Sequence, residues 1–145
     1  MDRFFPIGEI AFGSAMLILS LIIHGFGMLI VQRSNRHFQE LALGFRREAA
    51  FSLLILMLLL THMVEMLMWA SMLTWGGAIA TFRNSYYYVA VTYTTLGYGE
   101  GTLSEPWRIM APMMAMSGVF AFGWTTSVLF SIVAPPQKPS SPVEQ

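Results

Sequence analysis

Three stretches, Ile10 to Val31, Ala49 to Met72 and Met110 to Val133, each supply the roughly 20 mostly apolar residues that a helix needs to cross a bilayer. The hydrocarbon core offers no water to pair backbone N–H and C=O groups, so a spanning chain must satisfy them within itself, as a helix does. The predicted fold is therefore an all-α membrane protein with three transmembrane helices. With 55% hydrophobic and 11% charged residues, the chain lies well outside the balance of soluble domains. Formal net charge is zero, so the total says nothing about a nucleic-acid or acidic partner, and no nucleic-acid partner is expected. Cysteine is absent, so disulfides and thiolate metal sites are excluded.

The first stretch is too long for the apolar core of a signal peptide, has no basic leader beyond Arg3 and shows no small-residue cleavage site, so it is expected to be a retained helix. Between the first two stretches, "QRSNRHFQELALGFRRE" carries Arg33, Arg36, Arg46 and Arg47, whereas Arg83 stands alone between the second stretch and the segment TYTTLGYGE. Positive-inside counting puts that linker in the cytoplasm, the N-terminus and residues 73–107 outside, and the C-terminus in the cytoplasm. Phe38, Leu41, Ala42 and Phe45 recur at helical spacing, which suits either a short amphipathic helix at the inner interface or, given Gly44, an ordinary linker. The tail "APPQKPSSPVEQ" is rich in proline and serine and is expected to be disordered.

Between the second and third stretches, "TFRNSYYYVAVTYTT" offers Thr81, Asn84 and Ser85 as helix caps, followed by enough residues for a helix that only partly crosses the membrane. Its β-branched and aromatic residues also suit a strand, so local propensity leaves the choice open. "LGYG" then breaks any helix. Irregular backbone at membrane depth is tolerated only where it is buried in protein or lines a watery path, which a short re-entrant helix with an extended glycine-bearing return would satisfy.

TTLGYGE, set between two spans, closely resembles the selectivity-filter signature of potassium channels, TVGYGD. "YYVAVTYTTLGYGE" is similar to a pore helix with its filter, and "MSGVFAFGWTTS" to an inner helix, so the resemblance covers roughly residues 81–133. It implies a re-entrant pore helix of about Ser85 to Thr94, a filter loop after it, and a homotetrameric pore in which four chains line one axis. On this plan residues 1-31 form an outer N-terminus and additional transmembrane helix, 32-48 a cytoplasmic basic linker, 49-133 the pore domain and 134-145 the cytoplasmic tail. The expected setting is the lipid bilayer of a bacterial inner membrane.

The resemblance further implies that the carbonyls of Thr95, Leu96, Gly97 and Tyr98, with the Thr95 hydroxyl, replace the hydration shell of potassium, the permeant ion; no organic cofactor is implied. Turning successive carbonyls toward one line demands unusual backbone angles at alternate positions, which accounts for Gly97 and Gly99. Tyr98 is expected to point away from the axis into surrounding protein. Thr94, Tyr87 and Tyr88 support the filter, the two tyrosines occupying the places of a frequent tryptophan pair. Leu96 stands where valine is usual and Glu100 where aspartate is common, and Val91 takes the place of a glutamate found behind some filters. Glu100 and Glu105 are either cation-concentrating groups at the outer mouth or solvated loop charges. On the inner helix, Gly118 is a hinge or a close-packing position, and Phe122 and Thr126 are candidates to line a cavity.

Ionisable residues within spans are costly and usually face protein. His62 and Glu65 lie three apart on one helical face: either Glu65 braces the pore helix, or the two residues hydrogen-bond each other. His24, in the first stretch, suits a bond to a neighbouring helix or a proton-sensing role. The 12 methionines are spread over all faces, as lipid-facing packing residues would be, and do not form a soft-metal pathway. No nucleophile, base and orienting group gather at enzyme-like spacing. A potassium-selective channel is the expected function. A non-selective cation channel and a non-conducting regulatory channel subunit are the alternatives, and an unidentified regulatory partner fits either. No span carries the arginine ladder of a voltage sensor.

Overall fold

The computed structural model describes residues 7–41, 45–98, 101 and 103–134. Their regular elements are helical: α1 (Ile7–Leu41), α2 (Phe45–Trp75), the short α3 (Phe82–Tyr93) and α4 (Met110–Val133), the last preceded by one 3-10 turn at Trp107–Ile109. Helices α1, α2 and α4 are each long and apolar enough to cross a membrane, and the chain is an integral membrane protein. The third span coincides with α4. The first two extend beyond their apolar stretches, and α1 continues unbroken through Arg33 and Arg36 to Leu41. Up to Leu41 the basic segment is thus a continuation of α1 and not a separate interfacial helix. Phe38 packs with Met57, Leu129 and Ile132 around the buried cluster of Met28, Val31, Leu54, Leu58 and Val128. Ala42 and Gly44, like residues 1–6 and 135–145, lie outside the described residues.

Helix α1 packs along both α2 and α4, which themselves scarcely meet. It runs antiparallel to α2 and parallel to α4. Near its start Gly13 faces Met110 and Met113, while further along Gly25 faces Trp124 and Gly27 faces Thr61. A Cβ at Gly27 would collide with the Thr61 side chain; the missing side chain lets the two backbones approach, the usual source of helix attraction where lipid competes for every apolar contact.

The 12 residues of α3 span about 18 Å, well short of a bilayer core of about 30 Å. Thr81 caps its first turn, accepting from the backbone N–H of Asn84. The helix then descends antiparallel to α2 and is tied to it at both ends. The Thr74 and Ser85 hydroxyls lie 2.8 Å apart near the top, and Tyr93 reaches Glu65 at the bottom. Glu65 is ten residues from the end of α2, so α3 stops about 15 Å below that end. The chain then climbs back: the Trp107 ring lies against Gly76, just past the end of α2, leaving no room there for a Cβ. Gly76 and Trp107 therefore lie at the same end of α2.

Candidate functional site

The end of α3 is built as a Schellman motif. Leu96 N–H donates to the Val91 carbonyl at 2.9 Å and Thr95 N–H to the Thr92 carbonyl at 3.0 Å. That pairing forces a left-handed residue at Thr95, where φ is 58°. Glycine is the usual occupant; a β-branched residue there is an outlier that stores about 1–3 kcal/mol of strain. Two residues on, Gly97 has φ 58° as well. Left-handed geometry thus recurs at alternate positions, Thr95 and Gly97, as soon as the helix ends. The carboxyl end of α3, carrying the partial negative charge of the helix dipole, opens onto this turn.

In the single chain residues 94–98 are all exposed. Leu96 is 54% and Tyr98 66% accessible, so the packing anticipated for the Tyr98 ring is not made within one chain. Gly99 and Glu100 fall outside the described residues. Thr94 turns its hydroxyl back to the Ala90 carbonyl at 2.7 Å. Tyr88 packs partly buried against the core, whereas Tyr87 is exposed.

Behind the turn lies a buried polar cluster to which all four helices contribute. Glu65 of α2 is fully buried and accepts from Ser20 Oγ at 2.8 Å, from the Tyr93 hydroxyl at 3.0 Å and from His24 Nδ1 at 2.7 Å. His62 Nδ1 meets the Tyr93 hydroxyl at 3.0 Å. From α4, Thr125 Oγ1 stands 3.3 Å from His24 Nε2 and 3.1 Å from His62 Nε2. His62 and Glu65 are joined through the Tyr93 hydroxyl lying between them. The direct hydrogen bond offered as one sequence reading is replaced because Tyr93 can serve both at once.

His24, His62 and Glu65 place their polar atoms within 4.8 Å of one another. Each of these atoms is already engaged. The carboxylate holds the Nδ1 edge of the His24 ring and Thr125 the opposite Nε2 edge. The cluster is a hydrogen-bond network.

On α4, Gly118 sits where its added Cβ would run into the carbonyl oxygen of Tyr93. The helix is continuous through this point, so Gly118 serves close approach to the end of α3 and no break occurs there. Phe122 lies over His62 with the rings tilted by 35° and centroids 4.7 Å apart, and meets Tyr93 edge-on at 5.6 Å. It covers the polar cluster. Thr126 is exposed and returns its hydroxyl to the Phe122 carbonyl.

Residues 51–134, more than half of the chain, match the family model described as ion channel. The chain belongs to the ion channel family. The match takes in α2, α3, the turn and α4, and leaves α1 outside. This is a family of channels and not of enzymes. No curated protein and no solved structure matches the chain. In this channel chain the exposed turn and the buried cluster meet at Tyr93, whose backbone ends α3 and whose hydroxyl enters the cluster. Sequence reasoning did not single out Ser20, Tyr93 or Thr125 for this cluster. Ser20 was accessible to it, since Ser20 and His24 are one helical turn apart within an apolar span. Tyr93 and Thr125 carried no such signal, being embedded in the aromatic and threonine-rich runs "YTT" and "WTT".

Proposed function

We propose that the chain is one subunit of a potassium-selective channel, four copies surrounding a single pore through which ions pass passively. In this assembly α3 is the re-entrant pore helix, and the carbonyls of Thr95, Leu96, Gly97 and Tyr98, with the Thr95 hydroxyl and continuing to Gly99, form the stacked oxygen rings that substitute for water around the ion. The observation that carries it is the alternation of left-handed backbone at Thr95 and Gly97 directly beyond the end of α3. Alternating handedness turns successive carbonyls to one side. Further support comes from the position of Gly76 and Trp107 at the same end of α2, and from the exposure of residues 94–98 in an isolated chain.

The subunit contributes geometry and electrostatics. The negative end of the α3 dipole favours a cation at mid-depth. The side chains of Leu96 and Tyr98 are covered in the tetramer by neighbouring copies. Counting arginines favours the α1–α2 connection in the cytoplasm and the pore mouth with Glu100 and Glu105 outside; the membrane in this reading is a bacterial inner membrane.

The test is the reversal potential of purified protein in planar bilayers, with potassium on one side and sodium on the other, against a Gly97→Ala control. Because Gly97 has φ 58°, a Cβ there strains the turn even though space is open around it. A reversal potential near that of potassium, with the current lost in the control, is expected. Equal permeation of the two ions would replace the reading with a non-selective cation channel. Silence from verified tetramer would replace it with a non-conducting subunit.

A further inference from the structure

With Glu65 as a carboxylate, the buried cluster contains more hydrogen-bond contacts than its remaining side chains, all neutral, have protons to fill. Ser20 and Tyr93 each spend their one hydroxyl proton on Glu65. With the Tyr93 proton so committed, the contact between His62 Nδ1 and the Tyr93 oxygen needs a proton on the nitrogen. His24 Nδ1, facing the carboxylate at 2.7 Å, needs one too. A neutral imidazole has a single N–H, so both Nε2 atoms are then bare acceptors. Yet both face the same Thr125 hydroxyl, which has one proton to give. Six contacts thus require six protons, and Ser20, Tyr93, His24, His62 and Thr125 supply five.

We propose that this cluster is a proton-binding site that holds one additional proton, shared by His24 and His62 across the Thr125 hydroxyl and balancing the Glu65 carboxylate, and that its occupancy controls conduction through Tyr93. The proposal rests on the channel reading only for its last clause.

One added proton satisfies both requirements of a buried network at once. Every contact acquires a hydrogen, and the cluster becomes electroneutral as one imidazolium faces one carboxylate. The count is the same whether the proton resides on His62 or on His24. The chain His24, Thr125, His62 is therefore a short relay along which the proton shifts without leaving.

The groups packed around it come from every helix. Ser20 and His24 lie on α1, His62 and Glu65 on α2, Tyr93 on α3 and Thr125 on α4; Trp124 and Phe122 supply apolar covering beside the two imidazoles. None of these residues is a lysine or arginine, so no fixed cation in the cluster takes the proton's place. When alkaline solution removes the proton, a buried carboxylate loses its counter-charge and one Nε2 lone pair is left facing the Thr125 oxygen. An uncompensated buried charge is unfavourable, and the network relaxes by rearranging or admitting water. Tyr93 is the member that changes most for function, because the same residue terminates α3 two positions before the left-handed Thr95. Conduction is lost as pH rises and regained as it falls.

The proton count is read directly by nitrogen NMR of histidine-labelled protein in lipid bilayers. His37, exposed on α1, is the internal reference. At about pH 8, where an unperturbed imidazole is almost entirely neutral, the cluster should show the signal of one imidazolium divided between His24 and His62. In Thr125→Val, a near-isosteric change that leaves both histidines and Glu65, the bridge is gone: the signal should be confined to His24 beside the carboxylate, with His62 neutral. Two neutral histidines in the parent protein, or a distribution unchanged by Thr125→Val, would overturn the shared proton. Potassium currents across the same pH range should fall on the alkaline side in the parent, with a shifted midpoint in Thr125→Val. A current independent of pH while the imidazolium signal disappears would overturn the coupling. Absence of current at every pH would defeat the channel reading and the coupling together, whereas the proton count stands or falls on the spectra alone.

Discussion

The hydroxyl of Tyr93, the last residue of α3, donates to the buried carboxylate of Glu65, ten residues from the end of α2, at 3.0 Å. This bond fixes the depth at which α3 ends, and with it the level of the turn at Thr95. The same hydroxyl meets His62 Nδ1, so its removal leaves that buried nitrogen unmatched and takes one of two donors from Glu65 Oε2.

Tyr93→Phe keeps the ring and its edge-on contact with Phe122 while deleting that hydroxyl. A loss of about 1–3 kcal/mol in unfolding free energy is expected, with conduction reduced further than stability. Denaturation in detergent and bilayer recording check the two effects. A variant indistinguishable from the parent in both would show that the bond does not position the turn.

Gly118 and Gly123 separate packing from bending on α4. Gly118→Ala drives a Cβ into the Tyr93 carbonyl, and overpacking of this kind costs about 1–3 kcal/mol. Gly123→Ala meets nothing within 4 Å and should be neutral or slightly stabilising through helix propensity. Thermal unfolding of the pair decides the matter: equal tolerance at the two positions would refute close packing at Gly118.

Thr95→Gly relieves a β-branched residue of left-handed geometry. Stability should rise by about 1 kcal/mol, while the hydroxyl that the proposed filter offers to potassium is lost. Higher melting temperature combined with weaker potassium selectivity is the expected outcome. A rise in both, or a fall in stability, would mean that the strain at Thr95 is not held for the sake of the ion.

Ser85→Ala removes the upper tie between α3 and α2, a buried hydroxyl 2.8 Å from that of Thr74. About 1 kcal/mol should be lost. The lower tie at Tyr93 remains, so the pH dependence of conduction should keep its midpoint; a displaced midpoint would show that the upper tie also feeds the polar cluster.

Most of the architecture was legible because the bilayer enforces it. Apolar stretches of spanning length became α1, α2 and α4, and α4 kept the bounds Met110 to Val133 that hydropathy assigns. The ends of α1 and α2 were less legible, since helical backbone continues into water where hydropathy has fallen, as Arg33 and Arg36 within α1 illustrate. Local chemistry offered Thr81, Asn84 and Ser85 as caps, of which Thr81 is the one, but it could not decide helix against strand for the tyrosine-rich α3, whose conformation is secured by ties to α2. Two left-handed residues in alternation were foreseeable only in part. Gly97 announces itself, whereas Thr95 is left-handed because the Schellman pairing demands it against the preference of its own side chain. Glu65 and His62 were visible as costly residues in a span. Their meeting point was not, because contacts between Glu65 and Ser20, or between His62 and Thr125, join positions that have no relation in sequence.

Helix α1 has a bearing on how the molecule is made. A chain synthesised from its N-terminus delivers Ser20 and His24 to the bilayer before Glu65 emerges. Inserting a span with an acidic group near its middle is unfavourable when the group meets only lipid. Here the carboxylate arrives beside a helix that already presents two of its hydrogen-bond donors, so biogenesis of the second span is assisted by the first, and deleting α1 would expose α2 to failure at the membrane before a pore could assemble.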